Sequence, residues 1–164
     1  MANWAKGNKI ILLFSALAVL VWMVLIFNLS SQAAMESNKL STGVAMFVMR
    51  IAQKVAPGAD FDVHRLNHLL RKNTHFFAYL VLGMLTANVL GRIGRRGLGR
   101  AVSALGICIL YAVSDEVHQL FVPGRGPGLR DVLLDSAGAA LGIVFLIACG
   151  ALREMWKGQA RKTA

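Results

Sequence analysis

Residues 101–121 read AVSALGICILYAVSDEVHQLF, a stretch that is apolar along most of its length and polar towards its end. About 20 apolar residues in a helix cross the roughly 30 Å hydrocarbon core of a bilayer, so this stretch predicts a membrane span. Its last turns nevertheless carry Asp115, Glu116, His118 and Gln119. Each ionisable side chain costs roughly 2.5–3.5 kcal/mol at the centre of an inserted helix, and less towards its ends. Groups retained at that cost line a cavity, a pathway or a binding site, so the same stretch indicates where function resides.

Three further apolar runs accompany it, at residues 10–29, 74–90 and 132–152. The first is longer than the roughly 7–15 residues of a signal-peptide core, so we expect an uncleaved span. Of the 164 residues, 56% are hydrophobic and 16% are charged, against roughly 25% charged in soluble domains. The sequence therefore predicts one domain, residues 1–164, of the all-α class: a polytopic membrane protein built as a four-transmembrane-helix bundle.

Basic residues are concentrated beside the predicted spans and account for a net charge of +10. The link between the second and third spans, residues 91–100, reads GRIGRRGLGR and contains four arginines. Because Lys and Arg mark the cytoplasmic side of membrane proteins, we expect both termini in the cytoplasm. No nucleic-acid-binding motif accompanies these bases, so we expect no nucleic-acid partner.

Between the first two spans lies a segment, residues 40–56, that we expect on the outer side. Apolar residues recur in it at helical spacing, which predicts an amphipathic helix lying on the membrane surface or covering the bundle. The recurring residues are Leu40, Val44, Phe47, Val48, Ile51 and Val55.

Polar residues of the last three spans are expected to meet at the outer ends of those spans. His75 and Tyr79 lie four residues apart on one face of the second span, and the third span ends on the same side. The fourth span begins there. The predicted cluster comprises His75, Tyr79, Asp115, Glu116, His118, Gln119, Arg125, Asp131 and Asp135.

The fourth span also carries the small-residue pattern Gly138-Ala139-Ala140-Leu141-Gly142. A GxxxG pattern allows two helices to approach closely. Asp131 and Asp135 share the face of these glycines, so we expect the acidic pair to point into packed protein. The pattern serves either within the bundle or between protomers of a homo-oligomer.

Four sequence blocks, in order, resemble the VanZ-like membrane family. They are FNLSSQ at 27–32, KNTHFFAY at 72–79, SDEVHQ at 114–119 followed by Phe121 and Arg125, and finally Asp131 with Gly138. The family consists of small multi-pass bacterial proteins and is named for a member linked to low-level resistance to the glycopeptide teicoplanin. The resemblance implies a place in the bacterial cytoplasmic membrane and a role in the envelope, without specifying a reaction. Its motif positions in this chain are His75, Tyr79, Asp115, Glu116, His118, Gln119, Arg125 and Asp131, and at Asp135 the family is expected to have Asn or Asp.

Three functional interpretations remain open. In the first, an outer-leaflet polar pocket binds a lipid-linked or glycopeptide-related anionic ligand, alongside membrane lipids. An arginine is suited to a phosphate or carboxylate because it can donate two parallel hydrogen bonds. The binding residues would be Arg125, Gln119, Tyr79, Asp131 and Asp135.

In the second interpretation, the chain is a membrane hydrolase or transferase acting on a phospholipid or a lipid-linked cell-wall precursor. Imidazoles and carboxylates perform acid–base chemistry, and the catalytic set would be His118, Asp115, Glu116 and His75. Asp115, three residues before His118, would orient its imidazole. The sequence leaves the cofactor unknown. A metal-assisted reaction stays open because His and carboxylate ligands are available, but no residues are assigned to a metal because no diagnostic ligand spacing is present.

In the third interpretation, the charges form only a structural clasp. Buried carboxylates need partners, and Arg125 and Arg130 would neutralise the four acidic residues, locking the third and fourth spans together. The clasp accounts for the acids but leaves His75, His118 and Gln119 unexplained.

Overall fold

The computed structural model describes residues 2–31, 63–123 and 128–163, with side chains described for 9–31, 72–123 and 128–160. These ranges contain four helices and no strand: α1 (Ala2–Ser31), α2 (Val63–Arg92), α3 (Gly97–Gln119) and α4 (Leu129–Thr163). Each helix contains a segment long and apolar enough to cross a membrane, namely Lys9–Ser31, Lys72–Arg92, Gly97–Gln119 and Leu129–Ala160. The predicted all-α membrane protein with four transmembrane helices is therefore confirmed, whereas the predicted amphipathic segment 40–56 lies outside the described residues.

The helices differ from the predicted spans mainly at their ends. α2 begins before residue 74 and α4 continues beyond residue 152, because backbone hydrogen bonding does not stop where the apolar pattern does. The third span was predicted to reach residue 121, but α3 ends at Gln119 and a turn follows. Pro123 favours this early end, because it has no backbone N–H for the Gln119 carbonyl and its ring would clash with that carbonyl in a continued helix.

The seam between α2 and α4 is formed by glycines. Gly138 lies against the backbone of Phe76, and Gly142 lies against the backbone of Leu80. A Cβ atom at either glycine would overlap the facing carbonyl oxygen. Gly83 of α2 is packed in the same way against α4. The GxxxG pattern therefore serves within the bundle, where it allows two parallel helices to approach closely.

α1 packs against α2 and α3. The indole Nε1 of Trp22 donates to the backbone carbonyl of Ala78 over 2.8 Å, and the Tyr111 hydroxyl donates to the carbonyl of Met23. Much of the remaining α1 surface consists of exposed large apolar side chains such as Leu13. Such a surface suits contact with lipid.

Contacts along the helices set their directions, with α1 parallel to α3 and α2 parallel to α4. One end of the bundle, called the polar end below, consists of Ser30, Lys72, His75, Tyr79, Asp115, Glu116, His118, Gln119, Asp131 and Asp135. The opposite end, called the basic end below, carries Arg92, Arg95, Arg96 and Arg100.

Candidate functional site

The structure brings residues predicted from three spans together at the polar end. The buried ones are Tyr79, Asp115, Glu116, Gln119 and Asp135, none of them more than 7% exposed. His75, His118 and Asp131 are half-buried. The remaining predicted residue, Arg125, lies outside the described residues.

Two contacts between polar side chains join α2 to α4 at this end. The Lys72 ammonium lies 3.1 Å from Oδ1 of Asp131, and Nδ1 of His75 lies 3.6 Å from Oδ2 of Asp135. Lys72 belongs to a recognised sequence block but was not among the predicted site residues. The ion pair observed here differs from the clasp predicted through Arg130, because the partner of Asp131 is Lys72. Arg130 is exposed, since helix geometry turns it about 100° from Asp131.

A hydrogen-bonded chain joins α1 to α3. The Gln119 amide donates to Oγ of Ser30 over 2.9 Å and to Oδ2 of Asp115 over 3.4 Å. The Phe27 ring lies over the His118 ring, with centroids 4.2 Å apart. Ser30 is fully buried, and sequence reasoning missed it. Its only signal was its position in the FNLSSQ block, since one serine at a helix end indicates no particular chemistry.

The two neighbouring carboxylates of α3 have different hydrogen-bond partners. Asp115 faces the chain of Ser30 and Gln119, whereas Glu116 accepts a 2.9 Å hydrogen bond from the backbone N–H of Gly128. Gly128 immediately precedes α4, so the Glu116 carboxylate lies beside a helix N-terminus, where negative charge is favourable. Asp115 thus links α3 to α1, and Glu116 links α3 to the start of α4.

Several buried polar atoms at the polar end have no hydrogen-bond partner. They are the Tyr79 hydroxyl, Oδ1 of Asp115, Nδ1 of His118 and both carboxylate oxygens of Asp135. The His75–Asp135 approach is an ion-pair distance but is too long for a hydrogen bond. Leaving one buried polar group unsatisfied costs about 1–3 kcal/mol, so this concentration at one place is expensive.

The two histidines of the polar end have different surroundings. Asp115 was expected to orient His118, but Nδ1 of His118 has no hydrogen-bond partner. His75 faces Asp135, and His118 lies close enough to Asp115 to interact with it electrostatically. The orienting role of Asp115 therefore stays a prediction. Among the residues whose placement is described, no three His, Cys, Asp or Glu side chains are grouped so that they could hold a metal ion. In chemical terms the site offers carboxylate acceptors, one phenol and two imidazoles.

Comparison with known proteins gives one family match. The family model described as VanZ/LLP1 matches residues 14–150, a range that includes every residue of the polar end. No curated protein and no solved structure matches the chain. The match covers most of the chain and confirms the resemblance drawn from the four sequence blocks.

Proposed function

This chain belongs to the VanZ/LLP1 family and is a multi-pass membrane protein, and we propose that its polar end binds a lipid-linked or glycopeptide-related anionic ligand of the bacterial envelope. Binding of this ligand would be the way in which the protein contributes to resistance against glycopeptides such as teicoplanin. The polar end lies at one end of the membrane spans, where both a lipid headgroup and a water-soluble compound can reach it.

The observation that carries the proposal is the set of unpartnered buried atoms on Tyr79, Asp115, His118 and Asp135. A purely structural cluster lowers its energy by satisfying its own donors and acceptors. Here the acceptors of two helices point inwards without donors, at a cost that hydrogen bonds from a ligand would remove.

The negative group of the ligand belongs at the rim of the polar end. The Lys72 ammonium is about one-third exposed, Arg130 is exposed, and the sequence places Arg125 in the short connection before α4. Lys and Arg are the side chains that hold phosphates and carboxylates. The buried carboxylates would instead accept hydrogen bonds from hydroxyl, amide or ammonium groups of the same ligand.

The proposal includes an orientation in the membrane. The arginines of the basic end favour the cytoplasmic side, which puts the polar end at the outer leaflet of the bacterial cytoplasmic membrane and both termini in the cytoplasm. A ligand exposed on the outer face, where glycopeptides act on cell-wall precursors, then reaches the site without crossing the bilayer.

The test combines a cellular and a binding measurement on the full-length protein. Asp115→Asn, His118→Ala and Arg125→Ala should each abolish the protein's contribution to teicoplanin resistance, while expression and membrane insertion stay near the wild-type level. Native mass spectrometry with a polyprenyl phosphate as the probe should show binding that falls about tenfold to a hundredfold in Arg125→Ala. This range corresponds to the loss of a charged hydrogen bond worth about 1.5–3 kcal/mol.

Glu154→Gln is the matched control, because Glu154 lies far along α4 from the polar end and pairs with Lys157 at the surface. It should leave resistance and binding unchanged. If the wild-type protein binds neither the probe nor teicoplanin, the proposal is wrong. If the three site variants fail to accumulate as folded protein, the charges are a structural clasp.

A second candidate function is favoured by the His75–Asp135 pair, because an imidazole beside a buried carboxylate can act as a general base. The chain would then be a hydrolase or transferase acting on a phospholipid or a lipid-linked cell-wall precursor. Incubating the purified protein with a radiolabelled precursor distinguishes the two functions. Release of a labelled product by wild type but not by His75→Ala would establish catalysis, and unchanged substrate in both would exclude it for that substrate.

A further inference from the structure

We propose that Tyr79, Asp115 and Asp135 form a binding site for a primary ammonium group, so that the headgroup bound at the polar end carries an ammonium beside its phosphate. This inference rests on the proposed function, because it specifies a second chemical group of the same ligand. It also explains how an end of the bundle rich in carboxylates suits a ligand that carries negative charge.

The hydrogen-bonding capacity of the three side chains matches an ammonium group. Three carboxylate oxygens have no hydrogen-bond partner: Oδ1 of Asp115 and both oxygens of Asp135. A primary ammonium has three N–H donors and no acceptor. Its donors can therefore meet these unsatisfied acceptors, and the Tyr79 hydroxyl oxygen is a fourth acceptor available to it.

Tyr79 supplies an independent indication that these acids face a ligand. Its hydroxyl is fully buried on α2 and has no hydrogen-bond partner, yet it lies close enough to Asp115 and Asp135 to interact electrostatically with both. A buried tyrosine hydroxyl normally finds a partner. Three helices thus contribute unsatisfied buried polar atoms to the same part of the polar end.

The charges around these acids favour a cation. The Lys72 ammonium is engaged with Asp131 at the rim, and Nδ1 of His75 lies 3.6 Å from Oδ2 of Asp135. Glu116 adds a further negative group nearby on α3. Charged and titratable side chains of three helices surround these acids. Among the described residues they are Lys72, His75 and Tyr79 of α2, Tyr111, Asp115, Glu116 and His118 of α3, and Asp131 and Asp135 of α4. The polar side chain that α1 contributes, Ser30, is neutral.

One headgroup can reach both the rim and the interior. Asp131, whose partner Lys72 lies at the rim, and Asp135 are four residues apart on α4, a rise of about 6 Å. An ethanolamine joined to a phosphate is of similar length. The phosphate would therefore lie beside Lys72 while the ammonium reaches the interior acids.

Three phospholipids with different headgroups test the inference on full-length protein in detergent. Phosphatidylethanolamine has a primary ammonium, phosphatidylcholine has the same charge but no N–H donor, and phosphatidylglycerol has hydroxyls and no ammonium. Native mass spectrometry should show phosphatidylethanolamine retained at least about tenfold better than phosphatidylcholine, the factor expected for one charged hydrogen bond. Soluble phosphoethanolamine should compete if the headgroup alone is recognised, and failure to compete assigns the site to the intact lipid.

Variants locate the preference within the cluster. Asp115→Asn and Asp135→Asn should remove the preference for the ethanolamine lipid, whereas Glu154→Gln, at the surface of α4 far from the polar end, should keep it. Tyr79→Phe removes one hydroxyl and preserves the ring, so it should weaken the preference even if the Asp135 variant fails to fold. Equal retention of the ethanolamine and choline lipids by wild type would overturn the ammonium site. The proposed function would survive that result if polyprenyl phosphate still bound in an Arg125-dependent manner.

Discussion

Replacing Gly142 by alanine should separate α2 from α4 and destabilise the bundle. A Cβ atom at this position would lie 2.9 Å from the carbonyl carbon and 3.2 Å from the Cα of Leu80, and closer still to the carbonyl oxygen. All three atoms belong to backbone, so no side-chain rotation can relieve the overlap. Ordinary van der Waals contact begins near 3.4 Å. Because the carbonyl oxygen is the closest of the three atoms, the helices would have to move apart locally by more than about 1 Å.

The size of the effect follows from two opposing contributions. Overpacking that forces backbone shifts typically costs about 1–3 kcal/mol, and a radial separation of about 0.5–1 Å already removes a quarter to a half of the dispersion energy of each contact. Alanine is, however, about 0.5–1 kcal/mol better than glycine within a helix. Gly150→Ala on the same helix isolates the second contribution, because a Cβ there meets nothing within 4 Å. The two variants should therefore differ in unfolding free energy by about 1–3 kcal/mol.

The measurement is reversible unfolding of purified protein in mixed micelles of increasing dodecyl sulfate content, followed by circular dichroism. Gly142→Ala should unfold at a lower fraction of dodecyl sulfate than Gly150→Ala, and Gly138→Ala should behave like Gly142→Ala because it faces the Phe76 backbone in the same way. Equal stability of Gly142→Ala and Gly150→Ala would refute the glycine seam and the close approach of α2 and α4.

Two further predictions concern α1 and the orientation. Trp22→Phe removes the indole hydrogen bond to the α2 carbonyl and should lower the unfolding free energy by about 1 kcal/mol, whereas Trp156→Phe, at an exposed side chain, should leave it unchanged. In a background without native cysteines, Gly126→Cys should react with a membrane-impermeant thiol reagent added to whole cells and Arg95→Cys should react only after permeabilisation; the reverse pattern would invert the proposed topology.

Much of the fold follows from sequence periodicity and composition. Apolar run length predicts the four spans because the bilayer imposes a minimum helix length. The burial of Asp135 follows from helical phase, since it lies on the face of Gly138 and Gly142, and that face must pack if the glycines are to be useful. Helix ends are less predictable because hydropathy records contact with lipid and not the backbone hydrogen bonds that continue beyond it.

The pairings within the site could not be predicted in the same way. Lys72 and Asp131 meet only because two helices lie side by side in one register, and no local pattern in either helix specifies that register. The same holds for Ser30 and Gln119, which are far apart in the chain. Arg130 had the right charge beside Asp131, but helix geometry turns adjacent residues about 100° apart, so a neighbour in sequence is a poor partner in space.

The glycine seam and the polar end depend on one another. Gly138 contacts Phe76, and the neighbouring residue His75 approaches Asp135 on the same two parallel helices. Close backbone approach at the glycine is what allows an imidazole and a carboxylate on rigid helices to come within 3.6 Å. A larger residue at Gly138 should therefore separate this pair as well as weaken the bundle. Loss of ligand binding in such a variant would reflect the increased distance between the two helices, even though the glycine itself contacts no ligand.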